Sequence, residues 1–422
     1  MLLNREPNLS WNFDIKDAPS IMVFSPWYYG HHPTYIRHLI LQWKQRRLPG
    51  ILNIVTMPSF LEKHEEIVSL ADQNRSSVHF VSFTAEEENH LSTSSNLSGA
   101  FRQYQLIVRY VKQLEATHAL LMHFDSCQLP FVIGYDLPCS FSAIYFRPTF
   151  HYNKFFNYTP TWKERIQQLR ERIFLSRLLA HPQLKTLLCL DPFAVSSINQ
   201  CFSGSAKAVH LPDPVEFQVP EQDQVNYLKA ELGIEPDRKV FLAFGLLADE
   251  RKGTRQLLDA LHTLEPELCR KLCILLVGEP FQAGQTTLEA WLSPVSESLP
   301  VQIVTKFGYI PESEVPLYFR LADAVLAPYQ KHQGMSGILL LAAAAQKPVL
   351  SSNYGLMGDM LRRYELGVAI DTTIPDEITQ GLTRLLCEPF NSLCNPEQMK
   401  SLANLHSVEQ FASTIFQHLY RN

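Results

Sequence analysis

Short apolar runs that end in Gly, Ser or Pro alternate along this chain with longer stretches of helical periodicity, and the alternation occurs twice. A run of that length bounded by turn residues reads as a buried strand, and the amphipathic stretch after it reads as a helix. Parallel strands cannot be joined by a tight turn and need a crossover, so the alternation predicts βαβ units and a largely parallel sheet. In the first series the expected strands are Ile21–Ser25, Leu52–Thr56, Val78–Phe83, Ala119–His123, Ser142–Tyr145 and Thr186–Leu190. Helices are expected over Thr34–Arg47, Ala100–Leu114 and Trp162–Ala180. In the second series the strands are Val240–Gly245, Leu272–Gly278, Val301–Val304, Ala324–Pro328, Pro348–Ser351 and Gly367–Ile370, with helices beginning near Thr254, Glu312, Gly337, Gly355 and Pro375.

Between the two series the chain reads LPDPVEFQVPEQDQ from Leu211, too rich in Pro and acid to continue a helix or a strand. A chain of 422 residues suits two domains. The expected division is 1–210, then 211–395, then a final helix over Pro396–Tyr420 within 396–422 that packs back toward the first domain. The fold class is therefore α/β, two tandem Rossmann-like doubly wound domains. Such sheets bind ligands outside their strand C-termini, where the strand order reverses, so the expected site is an interdomain cleft. The Ser-rich stretch Asn89–Ser98 is expected to be a loop.

The balance of 37 basic against 42 acidic residues, with no long block of one sign, argues against nucleic acid as a partner. The eight cysteines form no CxxC pair and sit mostly among apolar residues, which predicts buried free thiols in a reducing compartment. The polar, acid-bearing start predicts no export signal, and the longest apolar run, Gly337–Ala345, is far shorter than the roughly 18 residues of a spanning helix. A cytoplasmic chain is expected.

Three loops carry the residues that suit chemistry. After the first strand of the second series, Phe244-Gly245 leads through Asp249-Glu250-Arg251-Lys252-Gly253 into a helix. Arg251 and Lys252 beside unpaired helix N–H groups make an anion cradle that fits a diphosphate; a solvated charged turn is the plainer reading. His332-Gln333-Gly334-Met335-Ser336-Gly337 precedes an apolar helix, and the small residues Gly334, Ser336 and Gly337 let a ligand approach the backbone, or let the helix pack tightly on the sheet. In the first series Trp27–Thr34 holds His31 and His32 at a helix start, suited to a sugar or to capping. Leu120–Ser126 places His123 and Asp125 at the end of a strand, where i, i+2 spacing puts them on one face. That pair suits orienting an acceptor hydroxyl or taking its proton, or a buried bond that ends the strand. Arg147–Tyr152 and the basic amphipathic stretch Trp162–Arg177 read as a solvated face, or as a face toward acidic lipid or an anionic acceptor. No His, Cys, Asp or Glu cluster has metal-ligand spacing, so no metal is expected.

The strings Phe307-Gly308-Tyr309-Ile310-Pro311-Glu312, Leu321–Pro328 and Gly337–Ser351, in that order and spacing, resemble the donor-binding domain of the family-four (glycosyl transferases group 1) retaining class. The resemblance covers roughly residues 210–390; the first half resembles the class in layout. It implies the GT-B fold and a nucleotide-sugar donor. Gly245–Gly253 corresponds to the family's GR-x-x-x-KG phosphate loop, with Leu246 at the usual Arg and Arg251 placed to supply the charge. Leu211–Val215 looks like the family's entry into the C-terminal domain. The family's Glu-x7-Glu pair falls on Gln333 and Leu341. In the family the first of these lies near the reacting sugar and the second holds the donor ribose.

The resemblance implies a glycosyltransferase that moves a sugar from a nucleotide-sugar co-substrate with retention, and the lack of metal-ligand spacing adds the expectation of no metal or other cofactor. The donor-binding residues are then Gly245, Arg251, Lys252, Gln333, Gly334, Ser336 and Gly337, and the catalytic candidates are His31, His123 and Asp125. The acceptor, a glycan, a lipid or a small molecule, is open, and peripheral membrane contact is admitted by the basic stretch. Two alternatives stand beside it. One is a relative that binds without catalysing, and the other is a different GT-B enzyme, an epimerase or an inverting transferase.

Overall fold

A computed structural model describes residues 18–71, 77–155, 158–280 and 284–420. The chain divides into two compact units, the first made of Met1–Pro148, Leu169–Leu211 and Phe411–Asn422, the second of Thr149–Gln168 and Pro212–Gln410. The chain thus leaves the first unit after Pro148, returns at Leu169, leaves again after Leu211 and ends in it from Phe411. The span 1–210 expected as one domain therefore contains a segment, Thr149–Gln168, that clusters with the second unit.

The first unit is built on a seven-stranded sheet. Its strands are β1 (Ser20–Phe24), β2 (Ile51–Thr56), β3 (Val78–Ser82), β4 (His118–Leu121), β5 (Ser140–Tyr145), β6 (Leu184–Cys189) and β7 (Lys207–His210). They lie in the order β3-β2-β1-β4-β5-β6-β7, every pair parallel. The central strands are buried on both faces, as Ile21, Met22 and Val23 in β1 show, so they read as unbroken apolar runs. β7 escapes a reading by apolar runs because it is a four-residue edge strand in which only Ala208 is buried.

The second unit holds a six-stranded parallel sheet of β8 (Lys239–Phe244), β9 (Leu272–Gly278), β10 (Gln302–Phe307), β11 (Ala324–Ala327), β12 (Val349–Ser352) and β13 (Gly367–Ile370). Their order is β10-β9-β8-β11-β12-β13. Phe241, Ile274, Leu276, Leu326 and Leu350 from the strands pack with Leu257, Leu261, Leu382 and Leu385 from the helices in one core. Both units are thus doubly wound α/β sheets, the fold class expected.

Several boundaries differ from expectation for physical reasons. β4 ends at Leu121, where its ladder to β1 stops, and a turn of 3-10 helix over Phe124–Ser126 follows. His123 and Asp125 therefore lie beyond the strand and do not share a strand face. The expected loop Asn89–Ser98 begins inside a helix, Ala85–Ser92, nucleated by a capping box in which Thr84 and Glu87 each hold the other's backbone N–H, a device worth about 1 kcal/mol. The final helix is two, Pro396–Leu405 and Val408–Tyr420, parted where His406 turns inward, its Nδ1 3.0 Å from the Asp213 carbonyl. The second of them lays Phe411 on Tyr35 at 4.7 Å and Phe416 on Trp43 at 5.7 Å, within the first unit. Six cysteines are buried, but Cys201 and Cys387 are exposed. Among the described residues no helix is long and apolar enough to cross a membrane.

Candidate functional site

In the second unit β8 lies between β9 and β11, so the winding reverses direction between β8 and β11. The loops that leave those two strands meet there. After β8, Gly245 adopts φ 116° and the chain makes a turn of 3-10 helix over Glu250–Lys252. Gly253 then caps the helix Thr254–Leu261 with φ 72°. Gly253 is forced twice over, by that positive φ and because a Cβ there would stand 1.9 Å from the Pro328 carbonyl oxygen. The same closeness lets the Gln330 N–H donate to the Arg251 carbonyl at 2.8 Å, which ties the loop after β8 to the loop after β11.

The two cations of the first loop are held differently. Arg251 folds back on Asp249, its Nε 3.1 Å from both carboxylate oxygens. That bond raises the guanidinium pKa and lowers the carboxyl's. Lys252 reaches across to β11's loop, donating to the Tyr329 hydroxyl at 2.6 Å with its Nζ 4.1 Å from the ring centre. The crevice between Phe244, Leu246, Lys252, Pro328 and Tyr329 holds only about 10 Å³ in this arrangement. Lys252 thus stands at the switch point without an acidic partner among the described residues, and Tyr329, which the sequence reading passed over, is what it rests on. A larger cavity, about 510 Å³, is lined by Arg362, Glu365, Gly367 and Asn395. It lies by the first residue of β13, at the opposite end from these loops, and Arg362 there pairs with Asp359.

The loop after β11 passes through Gln333, Gly334 and Ser336 into the helix Gly337–Ala344. Gly334, at φ 100°, donates its N–H to the Tyr152 hydroxyl at 2.8 Å. Gln333 donates from Nε2 to Glu164 Oε1 at 2.9 Å. Tyr152 and Glu164 both belong to the segment Thr149–Gln168 that clusters with this unit. Ser336 is the N-cap residue and is 6% exposed, yet its side chain makes no capping bond. A Cβ on Gly337 would meet nothing within 4 Å, so the helix start faces open space. Unpaired N–H groups at a helix N-terminus suit an anion, and a lysine on the adjoining loop adds a charge of the right sign. The seven residues expected to hold a donor thus gather on two adjacent loops, with Arg251 engaged by an acid.

The first unit has its own reversal, between β1 and β4. His31 and His32 follow β1, His123 follows β4, and the three converge with Phe146 after β5. His32 is buried, its Nδ1 2.7 Å from Ser25 Oγ. Burial, with help from His123 and His31, depresses its pKa to about 3. The His123 ring stands 5.8 Å from His32 and stacks on Phe146 at 5.1 Å. Burial lowers its pKa also, against a smaller opposite pull from Asp125. His31 is exposed and lies 6.1 Å from Phe146. Asp125 accepts from the N–H groups of Phe146 and Arg147 at 2.9 and 3.1 Å, which fixes the turn after β5. His123 and His32 are neutral near pH 7, so each offers a proton acceptor and neither a charge. His123 was legible as a strand-end histidine; Phe146, which stacks on it, carried no signal beyond its apolarity. Among the described residues no group of three or more His, Cys, Asp or Glu is placed to hold a metal.

Residues 238–388 match the family described as Glycosyl transferases group 1. No curated protein sequence matches the chain. Solved structures match it along almost its whole length. Anabaena HepE in complex with UDP is 12% identical over 96% of this chain and 100% of that one, with a TM-score of 0.66. Sucrose-phosphate synthase from Thermosynechococcus elongatus is 14% identical over 96% and 98%, with a TM-score of 0.68. A glycosyltransferase from Rickettsia africae is 11% identical over 96% and 100%, with a TM-score of 0.66. The chain has the GT-B fold.

Proposed function

We propose that this protein is a glycosyltransferase whose second unit binds a nucleotide-sugar donor at the joined loops after β8 and β11. The observation that supports the reading is that Lys252 and the open helix start at Gly337 lie on the loops that leave the two strands flanking the switch point. A diphosphate there would draw Lys252 from Tyr329 and accept from N–H groups at the helix start by Ser336 and Gly337, the Gly334 N–H being held by Tyr152. As the bond from the sugar to the diphosphate breaks, these donors stabilise the charge that develops on the leaving oxygens. Positioning and charge stabilisation then supply most of the catalysis, with no metal and no covalent enzyme intermediate. Retention of configuration is carried over from the resemblance to the family-four retaining class.

Gln333 stands at the family's first acidic position, and its amide is bonded to Glu164. That bond supports a reading in which Glu164, a carboxylate from another segment, takes the part beside the reacting sugar that the resemblance gives to the family's own acid. In the first unit, the neutral imidazoles of His123 and His32 serve the acceptor side. HepE holds UDP, so the donor panel begins with UDP-glucose and extends to GDP- and ADP-sugars.

A second reading, a protein that binds the donor without transferring it, is favoured by Leu341, an apolar residue at the family's second acidic position. Incubation with the nucleotide-sugar panel, followed by chromatography of the released nucleoside diphosphate, separates the two. Turnover of one donor, by transfer or slow hydrolysis, is expected. Binding without any release would support the second reading, and neither binding nor release would remove both.

A further inference from the structure

The helix Trp162–Leu179 carries a feature that the donor site does not use. Trp162, Ile166, Leu169 and Ile173 are 68%, 59%, 61% and 53% exposed. At about 100° per residue these four fall within roughly 60° of one another, a single stripe about 16 Å long. Their mutual placing follows from one continuous helix and from nothing else.

The polar residues beside the stripe are sorted by sign. Lys163, Arg170 and Arg177 form a row along one edge, and Arg165 and Arg172 a row along the other, all exposed. Both acids of the helix point elsewhere. Glu171 is 8% exposed and accepts from the Tyr145 hydroxyl at 2.5 Å. Glu164 accepts from the Thr161 N–H at 2.7 Å and from Gln333. Leu175, Leu178 and Leu179 supply the apolar face that the fold buries. Among the residues of this helix the outer face is thus an aromatic-headed apolar band between two cationic rows, while the inner face has its own separate packing. A solvated helix face has no use for four large exposed apolar residues in line. A protein partner would need carboxylates spaced to match both rows, whereas a bilayer with anionic headgroups meets both at once, taking the band into the acyl boundary and the rows at headgroup level.

We propose that this helix docks the protein on an anionic lipid surface. The inference stands apart from the glycosyltransferase reading, and its test needs no turnover. The whole protein is sedimented with vesicles of phosphatidylcholine alone and with about one-third phosphatidylglycerol, with tryptophan emission recorded in parallel. Partitioning at least about tenfold stronger onto the anionic vesicles is expected, weakened by high salt and accompanied by a blue shift that brominated lipid quenches. Ile166→Ser with Leu169→Ser, and separately Lys163→Glu with Arg165→Glu, should each abolish it with an unchanged melting temperature, since all four side chains are exposed. Trp162→Phe should keep sedimentation and lose most of the quenching. Equal binding to both vesicle types, binding that survives both double variants, or a stripe-dependent association of the protein with itself in place of vesicle binding would overturn the proposal.

Discussion

Lys252 and Arg251 are neighbours in sequence and unlike in use. Arg251 has its charge met by Asp249, and Lys252 rests on a tyrosine hydroxyl that an anion can displace. Glu164→Gln is expected to lower turnover at least about tenfold while nucleotide affinity stays within about twofold, the pattern of a group that acts on the reacting sugar; steady-state kinetics beside nucleotide titration checks it. His123→Ala should reduce transfer far more than donor binding. If it lowers the melting temperature and leaves activity per folded molecule intact, the histidine only packs against Phe146. Asp125→Ala, which strands the N–H groups of Phe146 and Arg147, should cost about 1–3 kcal/mol in stability, read by denaturant unfolding. The residue types and order were legible in the sequence. The partners were not, because Tyr329, Tyr152 and Glu164 reach their loops through tertiary contacts that no local spacing encodes.

At the scale of elements, the glycines of the two loops divide into one the fold needs, Gly253, and one the proposed donor would need, Gly337. Gly253→Ala forces a positive φ and a clash with Pro328, so it should lose more than about 1 kcal/mol of stability and unlock the two donor loops. Gly337→Ala meets nothing and should melt as wild type does, while nucleotide affinity should fall if the proposed donor approaches the helix start there. Melting temperature and nucleotide titration on both variants check the contrast. Buried central strands were legible because burial on both faces makes their whole length apolar. The edge strand β7 and the capped helix Ala85–Ser92 were not. One buries a single residue, and the other is set by a capping pair rather than by periodicity.

Over the whole molecule, buried neutral histidines make stability fall in acid. His32 and His118 are depressed from 6.5 to about 3 and about 4, first by burial. As pH drops through 6.5 the unfolded chain gains protons that the native state refuses, so each group takes away up to about 1.4 kcal/mol per pH unit until its native pKa is reached. Above that range neither contributes. Melting temperature should therefore decline steeply below about pH 6, less so in His32→Gln, and a flat profile would show that these rings charge in place. The doubled alternation of runs made both sheets legible at this scale, whereas the strand order that locates the switch points came from the structure. The return of Thr149–Gln168 to the second unit did not, since nothing in its own residues names the sheet it joins. The central claim, that the loops after β8 and β11 hold a nucleotide diphosphate, is tested most directly by calorimetric titration of UDP, GDP and ADP into the wild type and Lys252→Ala. The account predicts that at least one binds and that the substitution weakens it by about 1.5–3 kcal/mol, roughly ten- to more than a hundredfold, with folding unchanged. Equal affinity in the two proteins, or no binding of any of the three to the wild type, would contradict it.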